Sequence, residues 1–193
     1  MKELRENLMA LGVETEIDIS ERRYPADGAR FLRKKHIAGL LPNFIYFLAY
    51  DYYVPKAFLS TTFTGLYTEI NLPEEAECRI YKKDWFDKFI YVQRQKTGIK
   101  YIDSNVTVTT SGWTPKNLSE ESINLFMELN KGDIPYKIII EHNYMPRIIN
   151  LEGKKVLAIE TERWIEEKKE LEILIKTGSN LIQSIKNDLN RNV

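Results

Sequence analysis

The sequence has few of the side chains that metal sites and disulfides require. Among its 193 residues it contains a single cysteine, Cys78, and two histidines, His36 and His142. One cysteine excludes an intrachain disulfide and is typical of a reducing compartment, so we expect a cytoplasmic protein. The usual zinc ligand sets cannot be assembled without carboxylates, and the glycines stand singly rather than in a phosphate-binding loop. We therefore expect no metal and no cofactor.

The chain also lacks an excess of charge and a long apolar run. Its 28 basic and 28 acidic residues give a formal net charge of +0, so nothing in the composition favours nucleic acid or anionic lipid as a partner. The most apolar stretch, 38–49, is interrupted by Pro42 and is shorter than the roughly 20 residues that span a bilayer. The first seven residues include acids where a signal peptide has basic ones. We expect no nucleic-acid partner, no membrane insertion and no export signal.

What is present is ample material for a core. Apolar residues make up 43% of the chain, aromatic residues 11% and charged residues 29%, which is typical of a globular protein. The length lies within the range of one domain. We therefore predict a single domain over 1–193.

Hydrophobic periodicity predicts the order of the elements. It indicates an N-terminal helix at 2–11, a strand at 15–19, a β-rich part at 43–110, a helix at 118–130, a β-meander at 136–160 and a C-terminal helix at 164–189. Between 20 and 35 the sequence predicts a loop or a short helix from about Ala26. Within the β-rich part we expect strands at 43–54, 58–72, 78–81 and 98–110, and within the meander at 136–141, 147–150 and 155–160.

These elements predict the fold class. Strands joined by turns, with few helical crossovers between them, favour an antiparallel sheet over a doubly wound nucleotide-binding fold. We expect an α+β fold in which a twisted antiparallel sheet of about six to eight strands has its helices packed on one face. The long amphipathic C-terminal helix is the expected cover of that face.

An aromatic stretch inside the first central strand is the first candidate site. Tyr50, Asp51, Tyr52 and Tyr53 place an acid among three tyrosines. Such a group can contact a ligand, and we take these four residues as a candidate binding patch. The same pattern is also typical of a packed strand in which Asp51 forms a hydrogen bond near a strand end while the rings are buried.

Glu141 and His142 form the second candidate site, because they follow directly on an apolar strand. A histidine beside a glutamate can act as a general base near neutral pH. The same residues can also simply belong to a hairpin loop that turns the chain. No nucleophile-elbow or catalytic-cysteine pattern occurs elsewhere, so an acyl-transfer enzyme is disfavoured.

Three stretches carry a resemblance to a known family. They are Phe47-Leu48-Ala49-Tyr50-Asp51-Tyr52-Tyr53, Thr61-Thr62-Phe63 with Leu72-Pro73, and the run from Tyr101 to Val108. In these the chain resembles bacterial proteins of the domain of unknown function 3137 type, over roughly residues 40 to 130. It departs from them in having Ala49-Tyr50 where they have a phenylalanine before the aspartate, and we expect no membrane helix in residues 1–40. The resemblance implies a bacterial protein and no particular activity.

Two function classes follow from these observations. The first is a non-enzymatic binding or assembly module that acts through contacts with a protein partner or a second copy of the chain, because aromatic residues are abundant and no catalytic set is visible. The alternative is a small enzyme with an acid-base site near Glu141 and His142. The sequence favours the first.

Overall fold

The strands of this chain form one antiparallel sheet. The computed structural model describes residues 2–24, 30–54, 59–83, 94–111, 115–145 and 147–190. For residues 17–24, 30–34, 53–54, 59 and 94 it describes the backbone but not the side chains. The strands are β1 (Glu14–Tyr24), β2 (Arg30–Leu41), β3 (Ile45–Val54), β4 (Leu59–Glu69), β5 (Glu77–Lys82), β6 (Arg94–Gln95), β7 (Val106–Ser111), β8 (Lys137–His142) and β9 (Lys155–Thr161). Their order across the sheet is β1-β2-β3-β4-β9-β8-β5-β7-β6.

The helices lie against one face of this sheet. They are α1 (Lys2–Ala10), α2 (Lys100–Asn105), α3 (Glu120–Leu129), α4 (Lys168–Ile173) and α5 (Ser179–Asn190), and a π-helical turn at Leu174–Gly178 joins the last two into one C-terminal helix. Within the described ranges, all strand pairs are antiparallel and eight strands have at least six residues, with the two-residue β6 at one edge. The predicted α+β class is therefore confirmed.

Alternation along the strands gives the sheet two covered faces. On the helix face, Phe47, Leu66 and Ile159 pack with Leu4 of α1 and Ile182 of α5. The opposite face carries residues such as Leu48, Tyr67 and Ala158, which pack with Met145, Ile148 and Leu151 from the connection between β8 and β9. We call this second surface the loop face, because Met145, Ile148 and Leu151 cover part of it.

Strand β9 is buried on both faces of the sheet. All seven of its residues are buried, and it lies between β4 and β8 near the middle of the sheet. A strand whose two faces are both buried has a nearly continuous apolar sequence. Val156, Leu157, Ala158 and Ile159 provide that sequence, and Glu160 interrupts it.

Three predictions about elements are wrong. Residues 20–24 and 30–35 are not a loop or a helix but belong to β1 and β2, which pair without interruption from Glu14↔Leu40 to Tyr24↔Arg30. Strands can pair through their backbones without alternating apolar and polar residues. These charged stretches therefore have no strand pattern in the sequence, although they form strands. Residues 25–29, where the helix was expected to begin, lie outside the described residues.

The second error is the strand predicted over 98–110. Its first part is the helix α2, and only 106–111 form a strand. The turn before α2 is fixed by Asp103, whose carboxylate accepts hydrogen bonds from the backbone N–H of Thr97 (2.9 Å) and of Gly98 (3.1 Å). Gly98 has a φ of +79°, a conformation that favours glycine.

The third error is the strand predicted at 147–150. That stretch contains instead the 3-10 turn Ile149–Leu151, because Ile148 and Leu151 are buried against the loop face rather than paired with a strand. The meander thus reduces to β8 paired directly with β9.

The C-terminal helix begins at Lys168 rather than at 164. Ile165 is buried and donates its backbone N–H to Thr64 Oγ1 at 3.2 Å, which holds this part of the chain outside the helix.

Candidate functional site

A buried carboxylate on the loop face organises the candidate site. Glu160 has a side chain only 5% exposed, and it accepts hydrogen bonds from the hydroxyls of Tyr67 (2.8 Å) and Tyr144 (2.9 Å). Lys137 Nζ lies 3.3 Å from Glu160 Oε1 and 2.9 Å from Glu162 Oε1. A buried charge is tolerated only when it is paired and hydrogen-bonded. We call these five residues the Glu160 cluster.

Strand register brings the cluster together. Glu160 of β9 pairs with Gly65 of β4 on one side and with Lys137 of β8 on the other. A Cβ atom on Gly65 would lie 2.7 Å from the carbonyl oxygen of Ile159 and 2.8 Å from the Tyr67 hydroxyl. Only glycine therefore leaves the space in which the Tyr67 ring lies across β4 and its hydroxyl reaches Glu160.

The electrostatics of the cluster favour a fixed pattern of protons. Burial, and then the neighbouring Glu160 carboxylate, raises the pKa of Tyr67 well above its usual range and raises that of Tyr144 as well. Burial alone would lower the pKa of Lys137, but Glu162 and Glu160 outweigh it and the pKa is raised. The hydrogen bond from Lys137 lowers the pKa of Glu162. Both tyrosines are therefore neutral donors and Lys137 is charged at neutral pH.

A stacked arginine lies beside the cluster. The guanidinium of Arg147 is 4.5 Å from the ring centroid of Tyr50 and 5.9 Å from that of Phe63. The two rings are themselves stacked at 5.2 Å. Arginine packs well on aromatic faces, and such packing leaves the N–H groups along the edge of its plane available to a ligand.

The first half of β4 borders an open cleft. Strand β9 pairs with β4 only from Thr64 to Glu69, whereas β3 pairs with β4 along its whole length from Leu59. After Thr161 the chain turns towards the helix face, where the carbonyl of Arg163 accepts a 2.8 Å hydrogen bond from Thr64 Oγ1. Within the described parts of the chain, no strand pairs with residues 59–63 on the side that β9 has left.

The cleft beside this free edge has a volume of about 510 Å³. It is lined by Ser60, Thr61, Thr62, Phe63, Lys137, Tyr144, Met145, Arg147, Glu160 and Glu162. It therefore combines backbone groups of an unpaired strand edge with two cations and two anions. A second hollow of about 700 Å³ continues beyond Lys137, Glu160 and Glu162 towards Tyr81 and Asn130.

The structure divides the predicted Tyr50–Tyr53 patch between the two faces of the sheet. Tyr50 and Tyr52 lie on the loop face with ring centroids 6.3 Å apart, so Tyr50 does border the cleft through Arg147. Asp51 lies on the helix face, where it accepts a hydrogen bond from Thr62 Oγ1 at 2.8 Å. The backbone of Tyr53 belongs to β3, but its side chain is outside the described residues.

Glu141 and His142 are not brought together either. Adjacent residues of a strand point to opposite faces, and both belong to β8. Glu141 Oε2 accepts a hydrogen bond from Arg79 at 2.8 Å, while His142 Nε2 lies 3.2 Å from Glu74 Oε1. Neither residue lines the cleft beside β4.

Reasoning from the sequence missed the residues of the Glu160 cluster and of the cleft beside β4. Glu160, Tyr67, Lys137 and Arg147 were not singled out, because they are distant in sequence and meet only through strand register. One signal was available: Glu160 directly follows the apolar run 156–159 of a strand, and a buried charge needs a partner. The partners themselves could not be read from the sequence.

Among the described residues, no cluster of three or more histidine, cysteine, aspartate or glutamate side chains is placed to hold a metal ion. In the same part of the chain, no helix is long and apolar enough to cross a membrane. No protein-family model matches the chain, and neither a curated protein nor a solved structure is significantly similar to it. The resemblance to the domain of unknown function 3137 type therefore stays a prediction.

Proposed function

We propose that this protein is a non-enzymatic binding module that takes up an extended segment of a partner protein at the free edge of β4. The observation that carries the proposal is the stretch 59–63, which among the described residues pairs only with β3 and borders a cleft in the middle of the sheet rather than at its outer edge. An extended peptide can add to such an edge as a further strand and bind through its backbone. Five residues of edge offer roughly 17 Å of contact.

The direction of the backbone groups supports this addition. The N–H of Ile70 donates to the carbonyl of Lys155 at 3.0 Å, so even-numbered residues of β4 direct their N–H and C=O groups towards β9. Because the register of β4 is regular, the same alternation directs the backbone groups of Ser60 and Thr62 into the cleft. An added strand would satisfy these groups as β9 satisfies those further along.

The Glu160 cluster supports binding more than catalysis. The Glu160 carboxylate already accepts hydrogen bonds from two tyrosine hydroxyls and forms an ion pair with Lys137. This carboxylate is therefore poorly suited to take a proton from a substrate. The alternative of an enzyme using Glu141 and His142 gains no support from their contacts, which lie on opposite faces. A cytoplasmic, bacterial setting is part of the proposal; the lone, buried Cys78 is compatible with it.

The proposal predicts that removing the backbone N–H of Ser60 weakens peptide binding. The probe is an array of eight-residue peptides with alternating threonine and valine, incubated with the full-length protein, and peptides that bind are then measured by fluorescence anisotropy. The substitution Ser60→Pro removes an N–H that faces the cleft and none that faces β3. We expect it to weaken binding at least about tenfold, while Ser60→Ala changes it less than about twofold.

Circular dichroism and urea unfolding of Ser60→Pro check that the fold is intact. Equal binding by Ser60→Pro and the unsubstituted protein, or no binding to any peptide of the array, would overturn the proposal. A dimer that forms with rising concentration and is lost in Ser60→Pro, without peptide binding, would also overturn it. In that case a second copy of the chain would be the occupant of the edge.

A further inference from the structure

Arg147 is a cation of the cleft that has no carboxylate partner among the described residues. Lys137, the other cation, is held by Glu160 and Glu162 at 3.3 and 2.9 Å. Arg147, by contrast, contacts two aromatic rings and forms no ion pair with a described residue. Among the described residues, its charge is therefore unmatched by a carboxylate, whereas Lys137, Glu160 and Glu162 are matched with one another.

The position of Arg147 relates it to the free strand edge. Its guanidinium lies over Phe63, the last residue of β4 before pairing with β9 begins. Phe63 and Thr61 share the loop face, because they alternate with Thr62 along the strand. In an added strand, the residue opposite Thr61 would point to the same face, with its Cβ about 5 Å from that of Thr61. Its side chain would then approach the guanidinium.

We propose that the segment bound at β4 carries an acidic residue opposite Thr61, and that Arg147 recognises its carboxylate. The planar guanidinium can bind a carboxylate through two parallel N–H groups, and the Tyr50 ring, whose centroid lies 4.5 Å away, restricts the orientations that it can take. Preorganisation of this kind lowers the cost of ordering a long side chain on binding. The inference rests on the proposed function, since it specifies the partner of the same edge.

The test places glutamate, glutamine or lysine in turn at each position of the alternating threonine-valine peptides. We expect a glutamate at one position to bind about tenfold more tightly than a glutamine there, and a lysine to bind more weakly than either. In Arg147→Gln this preference for glutamate should disappear, while binding of the uncharged host peptide changes less than about threefold. In Arg147→Glu the preference should reverse in favour of lysine.

The outcomes separate this inference from the proposed function. If Ser60→Pro abolishes binding but glutamate and glutamine peptides bind equally, strand addition stands and recognition by Arg147 is overturned. If the glutamate preference persists in Arg147→Gln, another cation reads the acid and the inference is equally wrong. If no peptide binds, the proposed function fails and the inference fails with it.

Discussion

At the scale of single residues, the main feature of this protein is the buried carboxylate of Glu160, which directly follows the apolar run 156–159 of β9. A carboxylate in a low-dielectric interior costs several kcal/mol unless hydrogen bonds and an opposite charge offset that cost. Glu160 has two tyrosine hydroxyls and Lys137 within hydrogen-bonding or ion-pair distance. Removing one partner would leave the others facing an under-satisfied charge, so this group of residues specifies a particular packing of β4, β8 and β9.

Gly65 is the residue on which that packing depends, and its substitution gives a direct prediction. In Gly65→Ala the new methyl group would lie within 3.0 Å of the Ile159 carbonyl and of the Tyr67 ring. The carbonyl belongs to the central strand and cannot move without disturbing the sheet. We expect a loss of about 1–3 kcal/mol in the free energy of unfolding, measured by urea denaturation.

Gly132→Ala is the matched control for this substitution. A Cβ atom at Gly132 would have no atom within 4 Å, so the same change there should leave the stability unaltered within about 0.5 kcal/mol. Equal urea midpoints for the two variants would show that Gly65 does not limit the position of Tyr67.

The sequence predicted residues of the core better than residues of the site. Leu4, Leu8 and Ile182 are buried as their spacing indicates, because helical periodicity is a local property. Glu160, Lys137 and Tyr67 meet through pairing between strands that are up to about a hundred residues apart in the chain. A carboxylate at 160 and a lysine at 137 have no local signature of their contact, and so pattern reasoning selected Glu141 and His142 instead.

At the scale of elements, the contact between α3 and the C-terminal helix fixes the start of α3. The residue that caps the helix is Ser119, whose hydroxyl accepts a hydrogen bond from the N–H of Ser122 at 3.2 Å. Asp188 of α5 accepts hydrogen bonds from the Ser119 N–H and hydroxyl, both at 2.8 Å, and from the Ser122 hydroxyl at 2.6 Å. A local sequence pattern cannot reveal an acceptor, such as the Asp188 carboxylate, that another helix supplies to the start of α3.

We predict that Asp188→Ala destabilises the protein by about 1–3 kcal/mol, because it leaves donors at the start of α3 without their acceptor. It also removes a negative charge from the helix N-terminus. Urea unfolding measures the loss, and hydrogen exchange should show that amide protection at the start of α3 falls most. Asn187→Ala, at an exposed neighbour on the same helix, should change the stability by less than about 0.5 kcal/mol. A wild-type urea midpoint for Asp188→Ala would contradict this account of the cap.

The long C-terminal helix shows what periodicity can and cannot predict for an element. Its apolar stripe correctly indicated one helix that covers the sheet, but not the π-helical turn at Leu174–Gly178 within it. Gly178 lies in this turn, and a Cβ atom there would be 3.0 Å from Leu66 of β4. The close approach of helix and sheet is a property of their packing, which no spacing of residues along the helix encodes.

At the scale of the whole molecule, the sheet is packed on both faces near its middle, and within the described residues β9 ends before β4 does. The first four strands continue past the point where β9 ends and the chain turns to the helix face at Thr64. Sheets normally close or cover their edges to prevent unwanted pairing. Among the described residues, the start of β4 has no strand on the β9 side and Arg147 has no carboxylate partner, and a partner strand is the occupant that we propose for this edge.

Burial of several weak acids predicts that the whole molecule loses stability in alkaline solution. Burial raises the pKa of the Cys78 thiol from 9.0 to about 12, and it is also the largest cause that raises the pKa of Tyr67, Tyr136 and Tyr144. Each group ionises more readily in the unfolded chain than in the folded one. Its contribution to stability is therefore fully present at a pH below its pKa in the unfolded chain. That contribution is lost as the pH rises towards its pKa in the folded protein.

The expected result is a free energy of unfolding that begins to fall near pH 9, by about 1.4 kcal/mol per pH unit for each group that titrates in the unfolded state alone. Cys78 titrates first, since its unfolded pKa lies below that of tyrosine. In Cys78→Ala the decline should therefore begin about one unit higher, near pH 10, whatever the cost of the cavity that the substitution leaves. Urea unfolding at a series of pH values measures both slopes. If the two proteins show the same slope between about pH 9 and 10, the thiol is not held in its neutral form by the fold.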